Sequence, residues 1–169
     1  RRSTIKSIHL LNEELQVAYA PMSVAIQLAD DVDVSRGDTI IHARSSIPHV
    51  SRDIEAMICW MTDKPLQLGK RYYLKHGTLV TKAVIKEIPY RVNISTIEEE
   101  PGVTSLGLNE IALIVLKTQL PLCYDNYRRN RATGSFILID EATHTTVASG
   151  MIREPSEAPP SVVDQDYNI

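Results

Sequence analysis

The residues that could do chemistry in this chain are scattered, and no spacing assembles them into a catalytic or ligand-binding set. Five histidines stand singly along the sequence: His9, His42, His49, His76 and His144. None belongs to an H-E-x-x-H motif or lies at zinc-ligand spacing from a cysteine, and no G-x-S-x-G elbow marks a nucleophilic serine. The sequence therefore predicts no catalytic residue, no cofactor-binding residue and no metal ligand.

Two patterns look like ion or phosphate sites but lack a residue that such sites need. Asp30, Asp31 and Asp33 form an acidic cluster, yet a calcium loop needs a closing glutamate at a fixed position, which is missing here. We interpret the cluster as a solvated turn. A phosphate-binding loop needs glycine-rich backbone before its Gly-Lys pair, and Gly69-Lys70 has no glycine five positions earlier. No GTP-binding loop is predicted in these residues.

A cluster of arginines at Arg128, Arg129 and Arg131, beside Tyr124 and Tyr127, could bind an anion or a nucleic-acid backbone. The whole chain, however, carries 18 basic against 21 acidic residues, a formal charge of −3. Because basic residues are not in excess, the net charge does not support nucleic-acid binding. We therefore interpret the cluster as a solvated basic loop or an interdomain ion-pair site, and predict no nucleic-acid partner.

Composition further narrows the class of protein. Cys59 and Cys123 form no C-x-x-C pair, which favours a reduced, cytoplasmic chain, and Cys59 is predicted to lie in the core. There is neither a signal peptide nor an apolar run of membrane-spanning length, so no membrane partner is predicted. Arg1 and Arg2 lead straight into a strand pattern without an initiator Met, and we expect a piece of a longer protein.

The elements that must position these residues have the period of β-strands. Ile54–Met61 is apolar on both faces, which predicts a buried barrel wall with something packed outside it. In Leu79–Ile88, alternation places Ile88 on the face of Val84, and Pro121 is predicted to end the strand Asn109–Thr118. Further strands are predicted at Thr4–Leu11, Val24–Leu28, Arg71–His76 and Tyr90–Thr96, with an exposed loop at 98–102. No long helical periodicity appears, so the chain is predicted to be an all-β protein built of antiparallel barrels.

The stretch Tyr124–Ile152 is predicted to close the last barrel. It reads as a polar loop, a strand at Phe136–Ile139, a turn and a final strand at Thr146–Ile152. Asn130 and Thr133 can hydrogen-bond local backbone and hold the loop in one shape. Gly134 stands directly before the first strand, where a positive φ or a close backbone approach would demand glycine.

Several motifs in order resemble the GTP-dependent large subunit of bacterial sulfate adenylyltransferase, within the elongation-factor class of GTPases. They are D-x-D-V-S-R-G-D ending at Asp38, W-M-x-x-x-P-L-x-x-G-K-x-Y from Trp60, Y-R-V-N-I from Tyr90, L-N-E-I from Leu108 and N-R-x-T-G from Asn130. The resemblance implies elongation-factor-type barrels: the C-terminal half of a middle barrel (1–43), a linker (44–53) and a complete C-terminal barrel (54–153). Residues 154–169, rich in proline and acidic side chains, are predicted to be a flexible tail.

The resemblance also implies a function. The parent enzyme couples GTP hydrolysis to the formation of adenylyl sulfate from ATP and sulfate, and these residues would be its non-catalytic barrels. GTP and Mg²⁺ are expected in the missing GTPase domain, and the expected partners are that domain and the small adenylyltransferase subunit. Two alternatives stay open: barrels of a translational GTPase that bind tRNA or a release factor, and a stand-alone structural β-barrel.

Overall fold

A computed structural model describes residues 1–153, and these contain ten β-strands. The chain divides into two compact units, Arg1–Ser45 and Ser46–Ile169. The tail predicted over 154–169 lies outside the described residues. Within the described residues, no segment forms a helix that could cross a membrane.

The first unit is a small antiparallel sheet. Its three strands are β1 (Ile5–Leu10), β2 (Glu13–Leu15) and β3 (Ala25–Leu28), and β1 lies in the middle. Every side chain of this unit is at least partly exposed. Within residues 1–153, the aspartates of its acidic cluster are not grouped as metal ligands would be. Asp30, for example, accepts a hydrogen bond from Ser3 Oγ at 2.7 Å.

The second unit is a closed antiparallel barrel. Its strands are β4 (His49–Trp60), β5 (Arg71–His76), β6 (Leu79–Val92), β7 (Glu99–Pro101), β8 (Ile111–Tyr124), β9 (Ser135–Asp140) and β10 (Thr146–Ile152). Six of them follow one another in the order β5-β9-β10-β4-β8-β6, and pairing of β6 with β5 closes the ring, while β7 extends β6. The prediction of an all-β, antiparallel barrel fold is confirmed. Strand β4 begins at His49, so residues 49–53 of the predicted linker are strand.

The barrel interior is filled by alternate residues of each strand, as the period of two requires. On β4 the inward positions are Ile54, Ala56, Ile58 and Trp60, each 0–1% exposed. The indole of Trp60 meets the ring of Tyr72 edge-on at 5.8 Å between centroids and donates its N–H to the carbonyl of Lys64 at 2.8 Å. Burying Trp60 therefore leaves no indole donor unsatisfied.

A bulge in β6 overturns the predicted orientation of Ile88. Strict alternation placed Ile88 on the outer face with Val84, but Ile88 is 6% exposed and belongs to the core. The register between β6 and β8 shifts between Ile85 and Glu87. An extra residue in one strand reverses the inward and outward positions that follow it.

The prediction that Pro121 ends its strand is also wrong. Strand β8 runs on to Tyr124, because Pro121 lies where the β4–β8 register shifts opposite Ser51 and Asp53. A proline has no N–H to donate and is tolerated at such a bulge. Polar side chains compensate for the broken ladder: the backbone N–H of Leu120 donates to Thr81 Oγ1 at 3.0 Å.

The region after β6 also differs from its prediction. There is no separate strand at Tyr90–Thr96, because β6 itself extends to Val92 before a turn. The predicted exposed loop at 98–102 contains β7, which pairs with Tyr90–Val92. Arg91 and Glu100 face each other across this pairing and form an ion pair at 2.6 Å.

The closing hairpin forms as predicted, and the backbone around Gly134 is tightly packed. The positive-φ alternative for Gly134 is wrong, since its φ is not positive. The close-approach alternative holds: a Cβ on Gly134 would lie 2.4 Å from Tyr127 Cα and 2.8 Å from the carbonyl oxygen of Asn130. Glycine is required here by the neighbouring backbone, not by its own torsion angle.

Candidate functional site

Residues 125–134, here called the basic loop, connect β8 to β9 and are held in one shape by their own polar groups. The carboxylate of Asp125 accepts a hydrogen bond from Thr133 Oγ1 at 2.8 Å, so Thr133 bonds a side chain where backbone was expected. Asn130 hydrogen-bonds local backbone as predicted, because its Oδ1 accepts the N–H of Ala132 at 3.1 Å. Asn126 Oδ1 accepts from the N–H of Arg128 at 2.8 Å. Such side-chain-to-backbone bonds fix a loop without regular secondary structure.

The barrel holds the basic loop at three points. The N–H of Tyr127 donates to the carbonyl of Ile152 at 2.9 Å, and the N–H of Ile152 donates to the carbonyl of Gly134 at 2.8 Å. The buried ring of His76 donates from Nε2 to the carbonyl of Thr133 at 2.7 Å. One of the scattered histidines thus serves to anchor this loop.

The predicted arginine cluster lies on the outside of the basic loop. Arg128, Arg129 and Arg131 are all exposed, and within residues 1–153 none of them forms an ion pair. The guanidinium of Arg131 lies 5.9 Å from the centre of the Tyr127 ring, within range of a cation–π contact. Arg129 donates to Ser46 Oγ. The structure therefore presents three cations on a rigid support.

An open groove of about 530 Å³ runs between the basic loop and the outer face of the barrel. It is lined mainly by apolar atoms, including those of Tyr127, Ile137, Cys59, Ile111 and Met151. Strand register brings these side chains together, since Ile137 is paired with Ser149, Ser149 with Cys59, and Cys59 with Ile111. Cys59 was predicted to lie in the core; it is instead half-buried on this outer face.

The motif residues outside the groove are engaged in structural contacts. Arg91 of Y-R-V-N-I binds Glu110 of L-N-E-I at 2.5 Å, and Glu110 also accepts the N–H of Gly107 at 2.8 Å. The hydrogen bonds that Arg91 donates to Glu100, together with the negative charge of Glu110, raise the pKa of Arg91. Two motifs separated in sequence therefore meet in one ion-pair network that ties β6 to the turn before β8.

The Gly69-Lys70 pair, the nearest match to a phosphate-binding sequence, also takes part in a structural ion pair. Lys70 Nζ lies 2.6 Å from Asp140 Oδ2, and Asp140 Oδ1 accepts the backbone N–H groups of Ala142 and Thr143 at 3.0 Å. The hydrogen bond from Lys70, assisted by these backbone donors, lowers the pKa of Asp140 well below its ordinary range. Lys70 thus neutralises a carboxylate of its own barrel and is not presented to a phosphate.

This pair predicts acid-sensitive stability. Because the pKa of Asp140 is lower in the folded chain than its ordinary value of 3.8, the pair stabilises the fold above that value and loses its contribution as the pH falls below it. We expect Asp140→Asn to lower the melting temperature at neutral pH and to flatten its decline as the pH falls from about 4 to about 2. Thermal melts across this range test the expectation, with exposed Asp63→Asn as control. An unchanged acid limb in Asp140→Asn would contradict it.

The remaining histidines do not converge on a site in the described part of the chain. His144 stacks on Tyr73 with 6.3 Å between ring centroids, and His49 lies 5.7 Å from the ring of Tyr124. Within residues 1–153, no three His, Cys, Asp or Glu side chains are grouped as metal ligands would be. The groove was not predicted as a site, although β4 gave a signal for it: apolar residues on both faces.

Comparison with known proteins places the barrel in a family. Residues 53–153 match the family described as GTP-eEF1A C-terminal domain-like. The bifunctional enzyme CysN/CysC of Mycobacterium tuberculosis is 40% identical over 163 residues, covering 95% of this chain and 26% of that protein. Sulfate adenylyltransferase subunit 1 of Bacteroides fragilis is 40% identical over 99% of this chain and 35% of that protein.

Other relatives agree. Sulfate adenylyltransferase subunit 1 of Francisella tularensis is 42% identical over 92% of this chain and 33% of that protein. The chain thus spans between 26% and 35% of the length of these curated relatives. Among solved structures, Sup35 complexed with GDP has a TM-score of 0.77 over 90% of this chain and 37% of that one, at 18% identity. That likeness concerns the fold alone.

Proposed function

We propose, from the premise that this chain belongs to the GTP-eEF1A C-terminal domain-like family, that it is the non-catalytic barrel region of the GTPase subunit of a sulfate adenylyltransferase. The whole enzyme would couple GTP hydrolysis to the formation of adenylyl sulfate from ATP and sulfate in sulfate assimilation. In this proposal the barrels position the GTPase domain and contact the small adenylyltransferase subunit in the cytoplasm.

One observation carries the proposal. Identity to sulfate adenylyltransferase subunit 1 is about 40% and extends along almost the entire chain, whereas the likeness to Sup35 is 18% and concerns fold alone. A translational role in binding tRNA or a release factor therefore has weaker support. A stand-alone structural barrel is disfavoured, because the relatives are proteins about three times as long as this chain.

The non-catalytic role is supported by what the polar motif residues do. Lys70 is bound by Asp140, and Arg91 is bound by Glu100 and Glu110. The residues of Gly69-Lys70 do not fit a nucleotide, because the lysine that would meet the phosphates is already paired with a carboxylate. In this proposal GTP and Mg²⁺ bind the GTPase domain of the longer protein.

The assignment of the first unit to a partial middle barrel has its own support. A barrel buries one face of every strand, but each side chain of Arg1–Ser45 is at least partly exposed. On the strands themselves, Ile5 and Ile26 are 53% and 42% exposed. We propose that strands preceding Arg1 complete this barrel and cover those residues.

The proposal predicts that the 169-residue chain neither binds GTP tightly nor makes adenylyl sulfate. Calorimetric titration with GTP and Mg²⁺ should give no one-site isotherm, while the full-length protein should bind and, with the small subunit, form adenylyl sulfate in a GTP-dependent reaction. Tight one-site binding by the short chain would contradict the non-catalytic role.

The genomic context separates the alternatives. A GTPase domain encoded upstream of Arg1, beside a gene for an adenylyltransferase subunit, is expected. A ribosomal operon would favour the translational alternative, and a start codon immediately before Arg1 would favour the stand-alone barrel.

A further inference from the structure

We infer that the groove beside the basic loop is the surface that receives an acidic, partly apolar segment of the small adenylyltransferase subunit; the identity of this partner rests on the function proposed above. The inference combines an apolar floor, cations at its border and a rigid wall.

The floor is apolar where a barrel normally faces water. The outward positions of an antiparallel barrel are usually polar, yet Cys59, Ile111 and Ile137 line the groove from the outer faces of three strands. Met151 remains 40% exposed. The barrel core is complete on the inner face of the same strands, so these outward side chains add nothing to it. Their placement suits contact with another molecule.

The border of the groove carries positive charge that nothing in the described chain neutralises. Lys75 lines the groove, and Arg131 stacks near Tyr127, which also lines it. Within residues 1–153 neither cation forms an ion pair, in contrast to Lys70 and Arg91 on the same barrel. An occupant with Asp or Glu side chains flanking apolar ones would complement this arrangement.

The wall of the groove is held in one shape by contacts within the chain. The basic loop is fixed by the bonds of Asp125, Asn126 and Asn130 and by the close approach of Gly134 to Tyr127. A preformed surface loses little conformational entropy when a partner binds. The partner must be recognised through side chains, because the six-stranded ring is closed and offers no free strand edge at this point.

These features favour a protein segment over RNA and a different protein over a second copy. Single-stranded nucleic acid is bound on exposed aromatic platforms in a basic channel. The groove is lined by two aromatic residues, Tyr127 and Phe136, but the Phe136 ring is buried in the barrel core at 4% exposure and is not available for stacking. A second copy would bring Lys75 and Arg131 against their own equivalents, and like charges repel. Local positive charge raises the association rate of a separate acidic subunit. A covalently linked domain does not need this, because the linker already keeps it at a high effective concentration.

The test measures how tightly the full-length protein binds the small subunit encoded in the same genome. Arg131→Glu combined with Lys75→Glu is expected to weaken binding about tenfold or more at about 0.1 M salt, and to reduce the salt dependence of the affinity. Lys86→Glu, an exposed charge reversal that does not line the groove, is the matched control and should change the affinity by less than about twofold. Met151→Ser should weaken binding without changing the salt dependence. Equal melting temperatures confirm that each variant is folded.

Each other outcome is decisive. If the double variant binds the small subunit as tightly as the parent does, the inference is overturned while the proposed function stands. If the parent itself fails to bind the small subunit, both fail. If the double variant keeps its affinity for the small subunit but the full-length protein alone hydrolyses GTP at an altered rate, the groove contacts the chain's own GTPase domain. If the double variant instead loses RNA binding that the parent shows, the groove binds RNA. Either result overturns the inference.

Discussion

Gly134→Ala is expected to destabilise the barrel formed by β4–β10 by about 3 kcal/mol, the upper part of the usual cost of overpacking a tight site. The added Cβ would lie 2.4 Å from the Cα and 2.5 Å from the N of Tyr127, and 2.8 Å from the carbonyl oxygen of Asn130. All three are backbone atoms, so no rotamer change can relieve the collision.

Relief by moving the backbone would cost hydrogen bonds. The N–H of Gly134 donates to Asn130 at 2.8 Å, and the adjoining Tyr127 N–H donates to Ile152 at 2.9 Å. Because these bonds join the basic loop to the last strand, the loss of stability should appear as cooperative unfolding of the whole barrel at a lower urea concentration. Gly107→Ala is the control, since its Cβ would come no closer than 3.9 Å to Glu110. A Gly134→Ala variant that unfolds like the parent would contradict the steric explanation.

Gly150→Ala is expected to cost a similar amount, about 2–3 kcal/mol, for a reason inside the barrel. Its Cβ would lie 2.3, 2.5 and 2.6 Å from three atoms of the Phe136 ring. That ring is 4% exposed and packs over the backbone of Gly150, its partner across β9 and β10. A buried aromatic ring has little freedom to turn away, so the core must shift around the new methyl group.

The explanation for Gly150 can be tested by a double-mutant cycle. Phe136→Leu removes the ring, so Gly150→Ala combined with Phe136→Leu should be less destabilised than the sum of the two single variants by about 1 kcal/mol or more. Urea unfolding of the four proteins gives the coupling energy. Additive effects would show that the ring is not the obstacle.

Several features of the fold follow from neighbouring residues and could be predicted from the sequence. The strand predicted at Arg71–His76 coincides with β5, and the strand predicted to begin at Leu79 begins there as β6. The closing strands β9 and β10 were predicted within a residue or two. Burial every second residue and turn chemistry are local properties, so a single strand reveals them.

Other features depend on partners that are distant in sequence. Nothing local to Ile88 shows that a bulge against β8 turns it inward, and nothing near Pro121 shows that Thr81 supports the bulge there. A register shift is a property of two strands, and only their pairing reveals which residue is extra.

The same distinction separates the identity of this protein from its candidate site. Sequence alone determined the all-β fold and the family resemblance, because ordered motifs such as Trp60–Tyr72 are written along the chain. The tertiary structure decided what those motifs do: Lys70 meets Asp140, Arg91 meets Glu110, and Gly134 meets the backbone of Tyr127. It also assembled the groove, since Ile137, Cys59 and Ile111 become neighbours only through the register of four strands. Contacts between strands are set by pairing across the barrel, which the period of a single strand does not encode.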